Sequence, residues 1–198
     1  MKYLFTIITL IFLMSSQVNA QDKIGAIKTE KGFLLYYNYA PPFTIDLSGN
    51  IDLSDYPAIN INGNILEFNY GNSKNFGKEE KEILIKYMKW EKDYIIQVHN
   101  KSIETGNRLV NNNGTLINLW FYINPNLIND DSHNNKQFYA DFYKDQKVYR
   151  LSYLMFKGSD KDAEESLIKI INNLTFYDKQ IDVLKLSNSI LKGELYKN

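Results

Sequence analysis

Two histidines, no cysteine and a few acidic clusters are what this chain offers to chemistry. His133 sits in Asp130-Asp131-Ser132-His133, a run of donors that could ligate a metal. No second histidine or spaced carboxylate completes a site, so the run reads as a solvated loop of turn-formers. His99 closes an apolar stretch and reads as a hydrogen-bonded structural residue. Asp46, Ser48, Asn50 and Asp52 space oxygen ligands two apart, as calcium loops do. The glycine expected after Asn50 and a bidentate terminal glutamate are missing, which favours a plain hairpin. Glu79, Glu80 and Glu82 could supply paired carboxylates, but acids at a helix start are explained by the dipole. There is no Gly-x-Ser-x-Gly nucleophile turn, no phosphate-cradling loop and no dinucleotide fingerprint. Without cysteine, thiol catalysis, Cys-ligated metals and disulfides are excluded. The expectation is a non-enzymatic chain with no catalytic residues, no cofactor and no metal.

What remains is recognition. Aromatic residues make up 14% of the chain and Tyr alone numbers 15. Tyrosine suits half-exposed sheet faces and binding surfaces, although β-propensity accounts for the same enrichment. The densest aromatic run, Gln137 to Phe156, alternates with the period of a strand on both sides of Lys144-Asp145-Gln146-Lys147. A four-residue loop there pairs Phe142 with Tyr149, Ala140 with Leu151 and Phe138 with Tyr153. Phe138, Phe142, Tyr149, Leu151 and Tyr153 are then inward, with Met155 continuing that face. The outer face carries Tyr139, Asp141, Tyr143, Val148, Arg150 and Ser152. It is half polar and is expected to meet water or a loop. Tyr139, Tyr143, Val148 and Arg150 are the candidate binding residues for a protein partner.

The elements that must position this hairpin follow from periodicity. Gln21 to Lys31 is a polar, loosely held start. Gly32 to Tyr39 reads as a strand ended by Pro41-Pro42. Phe43–Leu47 and Ile51–Leu53 read as a hairpin around Ser48-Gly49-Asn50. Asn62-Gly63, a favoured type I′ pair, joins Ile59–Ile61 to a strand from Asn64 to Tyr70. Ile83, Leu84, Tyr87, Met88, Tyr94 and Ile95 predict a helix over Lys78–Gln97, with Trp90 flanking the stripe. Tyr94 to Val98 suits a strand equally well. Lys101 to Arg108 is polar, and Asn111–Gly114 signals a turn. Thr115 to Ile123 is apolar enough for burial on both faces, beside the hairpin. Ser159 and Asp162 resemble a capping box for a second helix to Asn173 with Ala163, Leu167, Ile170, Ile171 and Leu174 inward. Thr175-Phe176-Tyr177 is extended. From about residue 178 the tail is weakly helical, flexible and partner-dependent.

Residues 1–20 read as a signal peptide: Lys2, an apolar run from Tyr3 to Met14, and Val18-Asn19-Ala20 as a small-x-small cleavage site. The run is about 12 residues, short of the ~20 that span a bilayer. The chain is therefore expected to be periplasmic or secreted, without a stable membrane anchor. Residues 21–198 are expected to form one globular domain. With 23 basic and 23 acidic residues, nothing points to nucleic acid. Asn100-Lys101-Ser102, Asn113-Gly114-Thr115 and Asn173-Leu174-Thr175 match the glycosylation sequon, the first two in the more exposed settings.

Taken in order, the elements carry a resemblance. A tyrosine-bearing hairpin with Val148-Tyr149-Arg150-Leu151 precedes a helix, Ile168-Lys169-Ile170-Ile171-Asn172-Asn173, that runs straight into Leu174-Thr175-Phe176. In this the chain resembles the PsbP-like superfamily, with its bacterial DcrB-like proteins, over roughly residues 33–177. The resemblance implies an α+β fold, an antiparallel sheet flanked by two main helices in an α/β/α sandwich. It also implies a binding or assembly factor more than an enzyme. The expected function is an exported protein that binds a protein partner or assists an envelope complex. The alternative is a small-molecule or lipid carrier with an aromatic-lined cavity.

Overall fold

The computed structural model describes residues 24–39, 41–55, 57–124, 136–154, 156 and 158–196. The signal segment, His133 with its loop, and Met155 lie outside the described residues. In chain order the elements are β1 (Ile24–Lys28), β2 (Gly32–Tyr37), β3 (Phe43–Ser48), β4 (Ile51–Asp52), β5 (Ile59–Ile61), β6 (Asn64–Asn72), α1 (Glu80–His99), β7 (Thr105–Asn112), β8 (Thr115–Ile123), β9 (Lys136–Lys144), β10 (Lys147–Leu154), α2 (Asp160–Asn172), β11 (Leu174–Phe176) and α3 (Val183–Lys192). The fold is α+β with antiparallel sheets and three helices among the described residues. The described residues fall into two compact units: residues 24–49 with 173–196, and residues 50–172.

The smaller unit is a four-stranded sheet in the order β1-β2-β3-β11. The segment expected to be a loose start contains β1, an edge strand paired along its length with β2. Its Gly25 lies under the Tyr36 ring, where a Cβ would come within 2.4 Å of Tyr36 Cζ. Burying a ring over a cross-strand glycine gives an otherwise featureless edge strand its contact. The tail expected to be flexible forms α3. Asp182 caps it by accepting from Lys185 N at 3.1 Å, and Ile181 and Leu186 pack on Tyr36. Asn38 clamps this segment as a strand would: its Nδ2 donates to Ile181 O at 3.0 Å and its Oδ1 accepts from Ile181 N at 2.6 Å.

The hairpin expected over residues 43–53 does not form. β3 pairs with β2 and β11, whereas β4 pairs with β5. Gly49, at φ 116, turns the chain out of the first sheet, a backbone conformation that favours glycine.

The larger unit is a seven-stranded sheet in the order β4-β5-β6-β10-β9-β8-β7. The Asn62-Gly63 turn and its register, Ile61 opposite Asn64 and Ile59 opposite Leu66, are as expected. β9 and β10 also keep the expected register, Phe142 opposite Tyr149 and Phe138 opposite Tyr153. Their turn is tighter, with only Asp145 and Gln146 outside the strands, both at positive φ. Gln146 O accepts from Ser73 N and Oγ, which ties the turn to the loop after β6. β7 was missed: Thr-Gly-Asn-Arg-Leu-Val-Asn-Asn is polar because it is an edge strand, with no second neighbour to demand apolar alternation.

α1 extends to His99, so Tyr94 to Val98 is helical. It packs against β8, β9 and β10. α2 begins at the expected reciprocal cap, with Ser159 N donating to Asp162 Oδ2 and Asp162 N to Ser159 Oγ. It lies along β9 and β10, and Glu164 pairs with Arg108 of β7.

Candidate functional site

The hairpin face expected to meet water or a loop is covered by a helix. Tyr139, Val148 and Arg150 are buried and Tyr143 is half-buried. The cause is α1, whose apolar stripe needs a surface to bury against. Ile83, Leu84 and Tyr87 pack on Val148, while Met88 and Ile95 pack with Trp120, Tyr122 and Tyr139. Of the four candidate binding residues only Tyr143 keeps part of its surface open. The opposite set, Phe138, Phe142, Tyr149, Leu151 and Tyr153, is buried as expected.

Under α1 lies a buried arginine held on all sides. Arg150 and Asp141 are cross-strand partners on β10 and β9. Arg150 Nε donates to Asp141 Oδ1 at 2.7 Å and Nη2 to Oδ2 at 3.1 Å, a bidentate pair. Trp120 Nε1 on β8 donates to the same Oδ2 at 2.8 Å. From α1, Glu91 Oε1 stands 2.5 Å from Arg150 Nη1. Three rings enclose the guanidinium: Cζ lies 4.6 Å from the Tyr87 centroid, 5.1 Å from Tyr139 and 5.3 Å from Trp120. Planar guanidinium suits this combination of fork and stacked face, which lysine cannot supply. Side-chain exposure is 0% at Asp141, 5% at Arg150 and 18% at Glu91.

The electrostatics of the cage are asymmetric. Burial works against the charge on Arg150, but Asp141 outweighs it and raises the guanidinium pKa. At Glu91 burial comes first and wins over Arg150, so its carboxyl is pushed above its ordinary range. The pair differs because Arg150 has two carboxylates while Glu91 has one guanidinium, already shared. Burial pushes the Tyr87 hydroxyl up to about 12, with the Arg150 charge pulling the other way. The cage commits its guanidinium to protein groups, and what it does is fasten α1 to the sheet.

The outer flank of the fastened helix is a ridge. Trp90, Tyr94 and Val98 recur every four residues and are 52%, 57% and 61% exposed. Phe76 and Tyr87 support the Trp90 ring at 6.0 and 5.8 Å. In the smaller unit Leu184, Leu191 and Leu195 are likewise exposed.

The other sequence candidates are not drawn together. His99 is half-buried at the end of α1 with its ring 6.1 Å from Tyr122. Glu82 is held below the usual carboxylate range by Lys86, and then by Lys78 N; Glu80 is raised by burial. Asp52 accepts from Ser54 N, and Asn62 Oδ1 accepts from Asn50 N, as turn residues do. Among the described residues no three His, Asp or Glu side chains stand together as a metal site. Sequence reasoning missed Tyr87, Glu91, Trp120 and Asp141 as one cluster. The signal for half of it was present, since the hairpin register sets Asp141 opposite Arg150. Compared with models of known protein families the chain matches none, and a search of curated proteins returned no match.

Proposed function

We propose that this chain is an exported, non-enzymatic protein that binds a protein partner through the Trp90–Tyr94–Val98 ridge of α1. The observation that carries the reading is an aromatic ridge half open to solvent on a helix that the adjoining Arg150 cage locks to the sheet. Trp and Tyr are the residues on which binding energy concentrates, and burying three such side chains is worth on the order of several kcal/mol. A helix already held in place loses little further freedom on docking. The ridge would form the centre of an interface, fitting a groove on a partner such as an envelope complex. Export is supported by Lys2, the apolar run and Val18-Asn19-Ala20. The arrangement of the larger unit is read as an α/β/α sandwich of PsbP-like type, supported by α1 on the Tyr139 face and the Glu164–Arg108 pair on the Leu119 face.

The test places a photo-crosslinking residue at position 90 or 94, with Lys161 on α2 as control, and exposes the chain to envelope extract. A discrete adduct from 90 and 94 alone is expected, competed by wild-type protein and not by Trp90→Ser/Tyr94→Ser. Equal labelling from position 161, or equal competition by the double variant, overturns the reading.

A further inference from the structure

The Arg150 cage holds two carboxylates against one guanidinium. We infer that Glu91 is a proton-linked latch: protonation relieves the surplus buried anion and tightens the seating of α1 on its sheet. Asp141 is the fixed member, with no exposure and three hydrogen bonds from Arg150 and Trp120. Glu91 is the adjustable one. It comes from the helix rather than the sheet, keeps 18% exposure to exchange a proton, and makes its ion pair to a guanidinium that Asp141 already neutralises.

The groups that bear on Glu91 are few. From α1 itself there is Tyr87, which hydrogen-bonds to it; from β9, Asp141 and Tyr139; from β10, Arg150. β8 contributes Trp120, which does not titrate. Burial and Asp141 favour the protonated form and outweigh Arg150 and the Tyr87 hydrogen bond, which favour the charged one. A protonated Glu91 still offers a carbonyl oxygen to Arg150, so the contact survives neutralisation while the desolvation penalty falls.

The sign follows from linkage. Glu91 has its folded-state pKa raised above the ordinary 4.5. The stability it contributes is complete below 4.5 and is lost as pH rises through the folded value. One such group changes the seating equilibrium by at most about tenfold per pH unit within that window. Acid therefore tightens α1 and neutral pH loosens it. As regulation of partner docking, the latch rests on the ridge reading; as a property of the helix, it does not.

The experiment is hydrogen exchange of the peptide spanning 80–99 in the full chain, from pH 4.5 to 8 with intrinsic rates corrected, for wild type and Glu91→Gln. Wild type is expected to lose protection as pH rises through the window. Glu91→Gln, neutral but still able to accept from Arg150, is expected to keep acid-like protection throughout. A wild-type profile that is flat, or a Glu91→Gln profile with the wild-type slope, overturns the latch. Thermal unfolding over the same range guards against a variant that fails to fold, since a folded Glu91→Gln chain must show a smaller pH slope in Tm. Failure of crosslinking from position 90 would remove the docking reading and leave both measurements standing.

Discussion

Replacing Arg150 with methionine tests whether the cage fastens the helix. The guanidinium balances Asp141, whose side chain is fully buried. Its removal leaves that carboxylate with the Trp120 indole as its remaining partner from the cage. Breaking a buried pair from one side costs about 3–5 kcal/mol. The three ring contacts, each worth up to about 2 kcal/mol when desolvated, are partly replaced by the methionine chain. The expected loss is therefore near the top of the range, about 4–5 kcal/mol, a large share of the roughly 5–15 kcal/mol of a folded protein. Urea unfolding followed by far-ultraviolet dichroism and tryptophan fluorescence reads it as a fall in midpoint. A second arm adds Asp141→Leu to Arg150→Met. With the Asp141–Arg150 pair gone, about 2 kcal/mol or more is expected to return, short of wild type because Glu91 is left without its guanidinium and Trp120 Nε1 loses its acceptor. An Arg150→Met chain within about 1 kcal/mol of wild type at unchanged m, or a double variant no better than the single, would refute the reasoning.

Three other outcomes follow from the geometry. Asp145→Asn with Gln146→Gly puts the preferred type I′ pair where two non-glycine residues sit at φ 48 and 63, and should raise stability by about 1 kcal/mol in urea; no gain would mean the turn carries no strain. Asn38→Ala removes both hydrogen bonds to Ile181 and should speed hydrogen exchange across residues 178–196, while the peptide over 147–154 keeps its protection. The Asp182 carboxyl is held below its ordinary 3.8, first by the Lys185 amide, so the capping contribution is present above 3.8 and is lost as pH falls through the depressed value. Fraying of α3, read from the Lys185 amide in NMR, should set in only at pH below that ordinary value, and fraying at pH 5 would contradict the cap.

The elements with strong local codes were legible in the sequence. β8 falls on Thr115–Ile123 as expected, and both hairpin registers follow from turn chemistry agreeing with an apolar period of two. Elements whose code is weak were not. β7 and β1 are edge strands of mixed polarity, and α3 is defined by the Asn38 clamp and Tyr36, both about 145 residues away in sequence. The outer hairpin face failed for a more instructive reason. Asp141 and Arg150 looked solvent-bound because each is charged, yet charges opposite each other on a strand pair can satisfy one another and be buried together. Nothing in the sequence of α1 says that Glu91 joins them, because that depends on where the helix lands.

The smaller unit is assembled from two stretches with the whole of residues 50–172 between them. Its β3–β11 pairing and its Asn38 clamp join residues more than 125 positions apart. The larger unit is one uninterrupted stretch whose hairpins close over a few residues. This sets an order of events during synthesis. The larger unit can close once residue 172 is made, whereas β3 waits for a strand at the far end of the chain. Once the intervening stretch has collapsed, the ends are brought together at a lower entropic cost than an open loop of that length would carry. A chain cut short before residue 174 would thus keep its hairpins and the arginine cage while its first sheet stood open along one edge.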